Sequence, residues 1–200
     1  MSSLGNWIDE VVAHNRKQIS VAATCIARTH RAGGLVFTAG SGHSLAMVME
    51  TFFRAGGLAI VRPFFRADML PLNGALRSTM AERETGVGTE MVAAVDPGPR
   101  DLVAIFSNSG RNPYPVEIAE GARARGAVVV ALTSVGVSRA SPPRGAHRLY
   151  EVADVVLDTM VPPGDVSSPA GNPVTSPLST LACCALWTEI LADTVELDPG

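Results

Sequence analysis

Apolar residues recur at three- and four-residue steps through the first thirty positions, at Leu4, Trp7, Ile8, Val11, Val12, Ile19, Ala22, Ala23, Ile26 and Ala27. That spacing predicts one long amphipathic helix, ended by Gly33-Gly34 just after Arg31. The pattern then changes. Residues 35–39 (LVFTA) form a continuous apolar run without alternation, as expected of a strand covered on both faces. A Gly/Ser turn follows, then a helix over about 44–54. The helix-to-strand joint Arg-Ala-Gly-Gly-Leu at 31–35 recurs at 54–58 and introduces a second strand over 58–61. Shorter helices are predicted over 74–84 and around Glu90, a buried strand over 101–106 (DLVAIF), a helix over 114–125 and another buried strand over 127–132 (AVVVAL). Pro142-Pro143 marks a loop, and 155–158 a last short strand. Residues 160–177, with Pro162, Pro163, Pro169, Pro173 and Pro177, read as loop before a final helix capped by Ser179 or Thr180.

Strands separated by helices along the whole chain imply parallel pairing through right-handed crossovers. The predicted fold is a three-layer αβα sandwich around a doubly wound parallel sheet. One domain over residues 1–200 is expected, with the helix of residues 1–32 packed on its core or at an interface between copies. Composition agrees: 46% hydrophobic and only 18% charged residues exclude a disordered chain, three cysteines exclude a disulfide scaffold, and 5% aromatics argue against a large β-sandwich. The net charge of −3 leaves no basic field for nucleic acid or an anionic membrane surface, so an anionic ligand has to be gripped locally. Cys25, Cys183 and Cys184 show no C-x-x-C spacing and read as free thiols of a reducing compartment. Residues 1–10 lack the pattern of a signal peptide, and prolines interrupt the uncharged stretch 166–188, so a cytoplasmic protein without a membrane span is expected.

In an open parallel sheet, ligands sit beyond the carboxyl ends of the strands. Three such ends carry polar turns: Gly40-Ser41-Gly42-His43-Ser44, Ser107-Asn108-Ser109-Gly110-Arg111-Asn112 and Thr133-Ser134. Hydroxyls and helix N-termini gathered at one sheet edge describe an anion site that does not depend on Lys or Arg. The plain alternative is that each turn only caps its helix. Rival motifs fail on the same residues. Leu45 stands where the third glycine of a dinucleotide fingerprint belongs, no Gly-Lys-Ser/Thr follows the first turn, and no G-x-S-x-G elbow exists. His14, His30, His43 and His147 show no metal-ligand spacing, so neither metal nor cofactor is expected.

The stretches FTAGSGHS (37–44), VAIFSNSGRNPYPVE (103–117) and GAVVVALTS (126–134) resemble the SIS, or sugar isomerase, domain, and the resemblance runs over nearly the whole chain. HSLAMVMETFFRAGGL, GALRSTMAERETG and RLYEVADVVLD are similar to a small stand-alone bacterial branch related to phosphoheptose isomerases. The resemblance implies that Ser107, Asn108, Ser109 and Gly110 hold the phosphate of a sugar phosphate, with Ser41, Gly42 and Ser44 closing the other side and Thr133 and Ser134 adding to the rim. Asn112 stands where many members have a threonine in this clasp. It also implies a glutamate general base working through an enediolate. Two glutamates qualify. Glu50 lies near the metal-binding histidine position of phosphoheptose isomerases, whose catalytic glutamate position one turn on is Arg54 here. Glu82 resembles the catalytic glutamate of the etherases that cleave the lactyl ether of N-acetylmuramic acid 6-phosphate. A solvated helix face is the alternative for both. His43 would assist ring opening or cap its helix, and Asp158 and Asp165 lie near the last strand end. The implied function is a sugar-phosphate isomerase, with a phosphosugar lyase or etherase and a non-catalytic phosphosugar sensor as alternatives. A homodimer or homotetramer is implied, with the Trp7 face of the first helix as candidate interface or as core.

Overall fold

The structure, a computed structural model, describes residues 3–199. Its first element is α1 (Leu4–Arg31), capped by the Ser3 hydroxyl, which accepts from the Asn6 N–H. The chain continues through β1 (Val36–Gly40), α2 (Leu45–Thr51), β2 (Val61–Pro63), α3 (Ala75–Ala81), α4 (Val87–Val95) and β3 (Leu102–Phe106). It ends through α5 (Pro113–Ala124), β4 (Val128–Thr133), α6 (Val135–Ala140), α7 (Leu149–Val152), β5 (Val155–Asp158) and α8 (Ser179–Leu197). All neighbouring strands are parallel, in the order β2-β1-β3-β4-β5. From β1 the chain winds one way to β2, and from β3 the other way to β4 and β5. The switch point falls between β1 and β3, whose residues are buried throughout. α1, α2 and α8 cover one face, and α4, α5 and α7 the other. The doubly wound three-layer expectation is met.

The apolar stripe of α1 faces inward. Trp7, Val11, Ile19, Ala22, Ala23 and Ile26 are buried, and α1 packs chiefly on α8 and β5. Asn15 extends the sheet edge without a sixth strand: its side-chain NH2 donates to the Asp158 and Val11 carbonyls at 2.8 Å each, and its Oδ1 accepts the Asp158 N–H at 2.8 Å. An amide has both donor and acceptor, so one side chain satisfies both edge groups of β5. On the same side Phe106 meets Trp187 edge-on at 5.9 Å between ring centroids.

Boundaries shift where local chemistry overrides periodicity. The second strand begins at Val61, not at 58, because the Gly56-Gly57 turn runs on until the Val61 N–H reaches the Leu58 carbonyl at 3.4 Å. Pro63 is tolerated because β2 is an edge strand. The last helix takes its cap from the proline loop and not from Ser179 or Thr180: Asp165 accepts the N–H groups of Leu178 (2.8 Å) and Ser179 (3.0 Å) and the Ser179 hydroxyl (2.6 Å). α4 is capped in the same way, by Glu117 of α5, whose carboxylate accepts from Gly86 and Gly88 at 2.8 and 2.9 Å.

Candidate functional site

Gly40 and Phe106 are partners in the β1–β3 register, so the turns that follow them start side by side, about 5 Å apart. The first turn carries a carboxylate from elsewhere. Ser41, nearly buried, donates its hydroxyl to Glu82 Oε2 at 2.8 Å. Glu82 follows α3 and is fixed at both ends: its N–H donates to the Ser78 carbonyl at 3.2 Å, and its carbonyl accepts the Tyr114 N–H at the start of α5 at 3.4 Å. Gly42 has φ +57°, and a β-carbon on it would stand 3.8 Å from Glu82 Oε2. The backbone therefore passes close under the carboxylate.

The second turn is an open loop of donors. Among the described residues, the backbone N–H groups of Asn108, Ser109, Gly110, Arg111 and Asn112 meet no protein acceptor, nor do the hydroxyls of Ser107 and Ser109. Successive N–H groups around a left-handed residue, here Gly110 at φ +57°, form a concavity that binds anions. The helix start contributes little. Pro113 and Pro115 have no N–H, and that of Tyr114 is spent on Glu82. The loop itself, not the dipole end of α5, offers the donors. The Ser41, Gly42 and His43 N–H groups and the Ser44 hydroxyl are likewise unspent among the described residues.

The third turn is bonded inward. The Thr133 hydroxyl donates to the Asn108 carbonyl at 3.3 Å, which also accepts the Ser134 N–H at 2.9 Å. The Ser134 hydroxyl donates to the Val161 carbonyl at 2.8 Å and accepts from Val137. Thr159 holds the Asn108 side chain at 3.2 Å, and the Leu149 N–H holds the Gly110 carbonyl at 2.7 Å. The Asn108 and Gly110 carbonyls are thus tied to the body of the protein while the loop's donors point elsewhere. Thr133 and Ser134 fix the loop's shape.

The remaining candidates separate. His43 is exposed on the first turn. Glu50 forms an i,i+4 ion pair with Arg54 and lines a surface recess with Ala46, Met49 and Ala55, away from Ser41. Asp158 accepts from the Val135 and Met160 N–H groups at 3.1 and 3.0 Å, and Asp165 caps α8, so both carboxylates are structural. Arg144 is the residue that periodicity does not reveal. It comes from the loop after Pro142-Pro143, and its guanidinium donates to Asn112 Oδ1. Burial, then the neighbouring charges of Arg111 and Arg83, hold its pKa below the ordinary arginine value, with Glu82 opposing. No group of three or more His, Cys, Asp or Glu is placed to hold a metal among the described residues, and no described helix is long and apolar enough to cross a membrane.

The sequence pattern of the SIS domain family matches residues 1–134, a span that takes in all three turns. A UPF0309 protein of Geobacillus kaustophilus is 33% identical over 198 residues, covering 97% of this chain and 79% of its own length. Two solved structures share the fold. Phosphoheptose isomerase from Neisseria gonorrhoeae superposes with a TM-score of 0.57 at 16% identity, covering 96% of this chain and 93% of that one. The sugar isomerase domain of an RpiR transcription factor from Sphaerobacter thermophilus gives a TM-score of 0.56 at 19% identity, covering 96% and 85%.

Proposed function

The chain belongs to the SIS domain family, and from that premise we propose that it binds a phosphorylated sugar and isomerises it with Glu82 as general base. One observation carries this reading. The unspent donors of residues 107–112 lie beside a carboxylate that Ser41 holds at the switch point. The loop N–H groups, with Ser107 and Ser109, take the phosphate, while Ser41, Gly42, Ser44 and Asn112 bound the sugar. Glu82 then removes a proton from the carbon next to the substrate carbonyl. The electron pair moves onto the carbonyl oxygen as an enediolate, and the proton returns to the adjacent carbon, exchanging aldose for ketose without net redox change. His43, exposed on the first turn, moves the hydroxyl proton that ring opening requires. The Ser41 hydrogen bond orients the carboxylate and limits its rotation, which is how a positioned base gains over one in solution.

A lyase reading begins with the same proton abstraction and differs in its second step, the loss of an oxygen substituent from the next carbon. It is favoured by the fact that Glu82, and not Glu50, meets Ser41. A non-catalytic sensor is the third reading, supported by the regulator domain that shares the fold. Assembly as a homodimer or homotetramer belongs to the proposal. The apolar side chains of Phe53, Leu72, Leu76 and Met80 are all at least 72% exposed and lie between Ser41 and Glu82 in the chain, so a second copy would cover them beside the site. A cytoplasmic location suits the three free thiols.

Sugar monophosphates incubated with the protein in D2O test the reading. Deuterium is expected at the carbon next to the carbonyl. Glu82→Gln should reduce exchange by about 10²–10⁴-fold with phosphosugar affinity changed only a few-fold. Ser109→Ala should weaken a phosphosugar and leave the unphosphorylated sugar unaffected. Binding without exchange in the wild type would leave the sensor, and release of a second product would assign the lyase.

A further inference from the structure

The proposed reaction does not use three arginines that crowd the open loop. Arg83 directly follows Glu82 and is near enough for its charge to act on Arg144. Arg111 lies within the loop, and its guanidinium rests 3.5 Å from the Pro142 carbonyl. Arg144 is pinned by its side chain to Asn112 and by its N–H to the Arg111 carbonyl at 3.2 Å. None of the three forms an ion pair within 4 Å among the described residues, which is also true of the scattered Arg28, Arg62, Arg77, Arg100 and Arg139; what sets these three apart is that they are gathered at one place. Like charges gathered together repel one another, and although Glu82 offsets part of this at Arg144, the arginines outnumber it. Each guanidinium has five N–H donors, and Arg111 and Arg144 each spend one on protein.

Arg111 and Arg144, though not Arg83, also share the wall of a cavity of about 140 Å³, which continues past Thr85 and Pro113 to His147. That space is ample for a carboxylate or phosphate group, since about 10–15 Å³ on the same measure already admits a water. Glu117 and Glu120 line the same cavity, but both carboxylates are already engaged. Glu120 pairs with His147 at 2.7 Å, and Glu117 accepts the N–H groups at the start of α4. The loop and its neighbouring hydroxyls already supply the donors one phosphate needs, so the arginine charge is in excess of that task.

We propose that Arg83, Arg111 and Arg144 form a second anion subsite beside the phosphate loop, and that the ligand is a phosphorylated sugar bearing a further carboxylate or phosphate. This rests on the phosphosugar reading above. Planar guanidinium groups suit both chemistries, because each presents paired oxygens to a fork of N–H donors.

Calorimetric titration of the full chain with glucose 6-phosphate, gluconate 6-phosphate and fructose 1,6-bisphosphate tests it. At least one of the two-ended ligands should bind ten-fold or more tighter than glucose 6-phosphate; which of them does so identifies the second group as carboxylate or phosphate. Arg83→Gln and Arg144→Gln, made separately and checked for native melting, should each cut that ratio to about three-fold or less. A ratio near one in the wild type, or one that neither variant changes, overturns the subsite while glucose 6-phosphate binding keeps the phosphosugar reading. If no phosphorylated ligand binds, that reading fails and the subsite with it.

Discussion

Replacing Gly110 with alanine tests whether the donor loop has the shape described. Gly110 sits at φ +57°, a conformation that costs an L-residue about 1–2 kcal/mol. A β-carbon there would also stand 2.6 Å from Thr133 Oγ1 and 3.3 Å from Leu149 Cβ. Thr133 and Leu149 are fully buried, and Thr133 is held by its bond to Asn108, so neither has room to withdraw. Overpacking of this kind costs about 1–3 kcal/mol. Together the two effects predict a loss of about 2–5 kcal/mol, out of the ~5–15 kcal/mol typical of a folded domain. With a urea slope of ~2 kcal/mol/M, the midpoint should fall by about 1–2.5 M. Relief of the clash moves the loop, so phosphosugar affinity should fall at least ten-fold as well. Gly136→Ala is the control: it lies in the short helix α6, its added carbon meets nothing within 4 Å, and it should gain a few tenths to ~1 kcal/mol. A Gly110→Ala loss below about 1 kcal/mol, or an equal loss at Gly136, would refute the packing argument.

Two further predictions concern the frame around the site. Asp165→Ala removes the side chain that caps α8 from the proline loop and should cost about 1–2 kcal/mol in urea unfolding; a change under ~0.3 kcal/mol would mean that the cap is idle. Burial pushes the Cys183 thiol up to about 12 from an ordinary value of 9.0, so iodoacetamide at pH 8 should leave Cys183 unlabelled in the native protein and label it in urea. The folded state holds that proton more tightly than the unfolded chain does. Its contribution to stability is therefore complete below about pH 9 and disappears as the pH rises towards 12, which urea midpoints across that range should follow.

The layers and the parallel sheet of the fold are legible because continuous apolar runs such as 102–106 and 128–133 announce strands buried on both faces. The two turns at the switch point are legible for a related reason: serine, glycine and asparagine after such a run have no core to join. Everything set by contacts distant in the chain escapes such a reading. Periodicity offers Glu50 and Glu82 as equal helix-face carboxylates. Only the crossing of the chain from β2 through α3 brings residue 82 to residue 41, while Glu50 finds Arg54 one turn away on its own helix. Asp165 reads as a site residue because it lies soon after the last strand, yet the bare N–H groups at the start of α8 claim it. Arg144 has no local signal at all, since its partner Asn112 is thirty-two residues earlier.

The sequence also misdirects on where the site's free donors lie, and its own residues explain why. A polar turn followed by a helix invites the use of the helix dipole, but Pro113 and Pro115 remove two of the first N–H groups of α5, and Tyr114 gives its own to Glu82. Those prolines suit the first turn of a helix, where their N–H would be unbonded anyway. Their effect here is to move the donors one step back, into the loop 108–112, whose carbonyls are fastened by Thr133, Ser134 and Leu149. The same exchange ties the start of α5 to the carbonyl of Glu82. Under the proposed function, phosphate grip and base position would then be mechanically joined, because the Tyr114 N–H of α5 holds the Glu82 carbonyl. A chain with net charge −3 can hold a phosphate in this way without spending a cation on it, which leaves the arginines around the loop free to select what else the ligand carries.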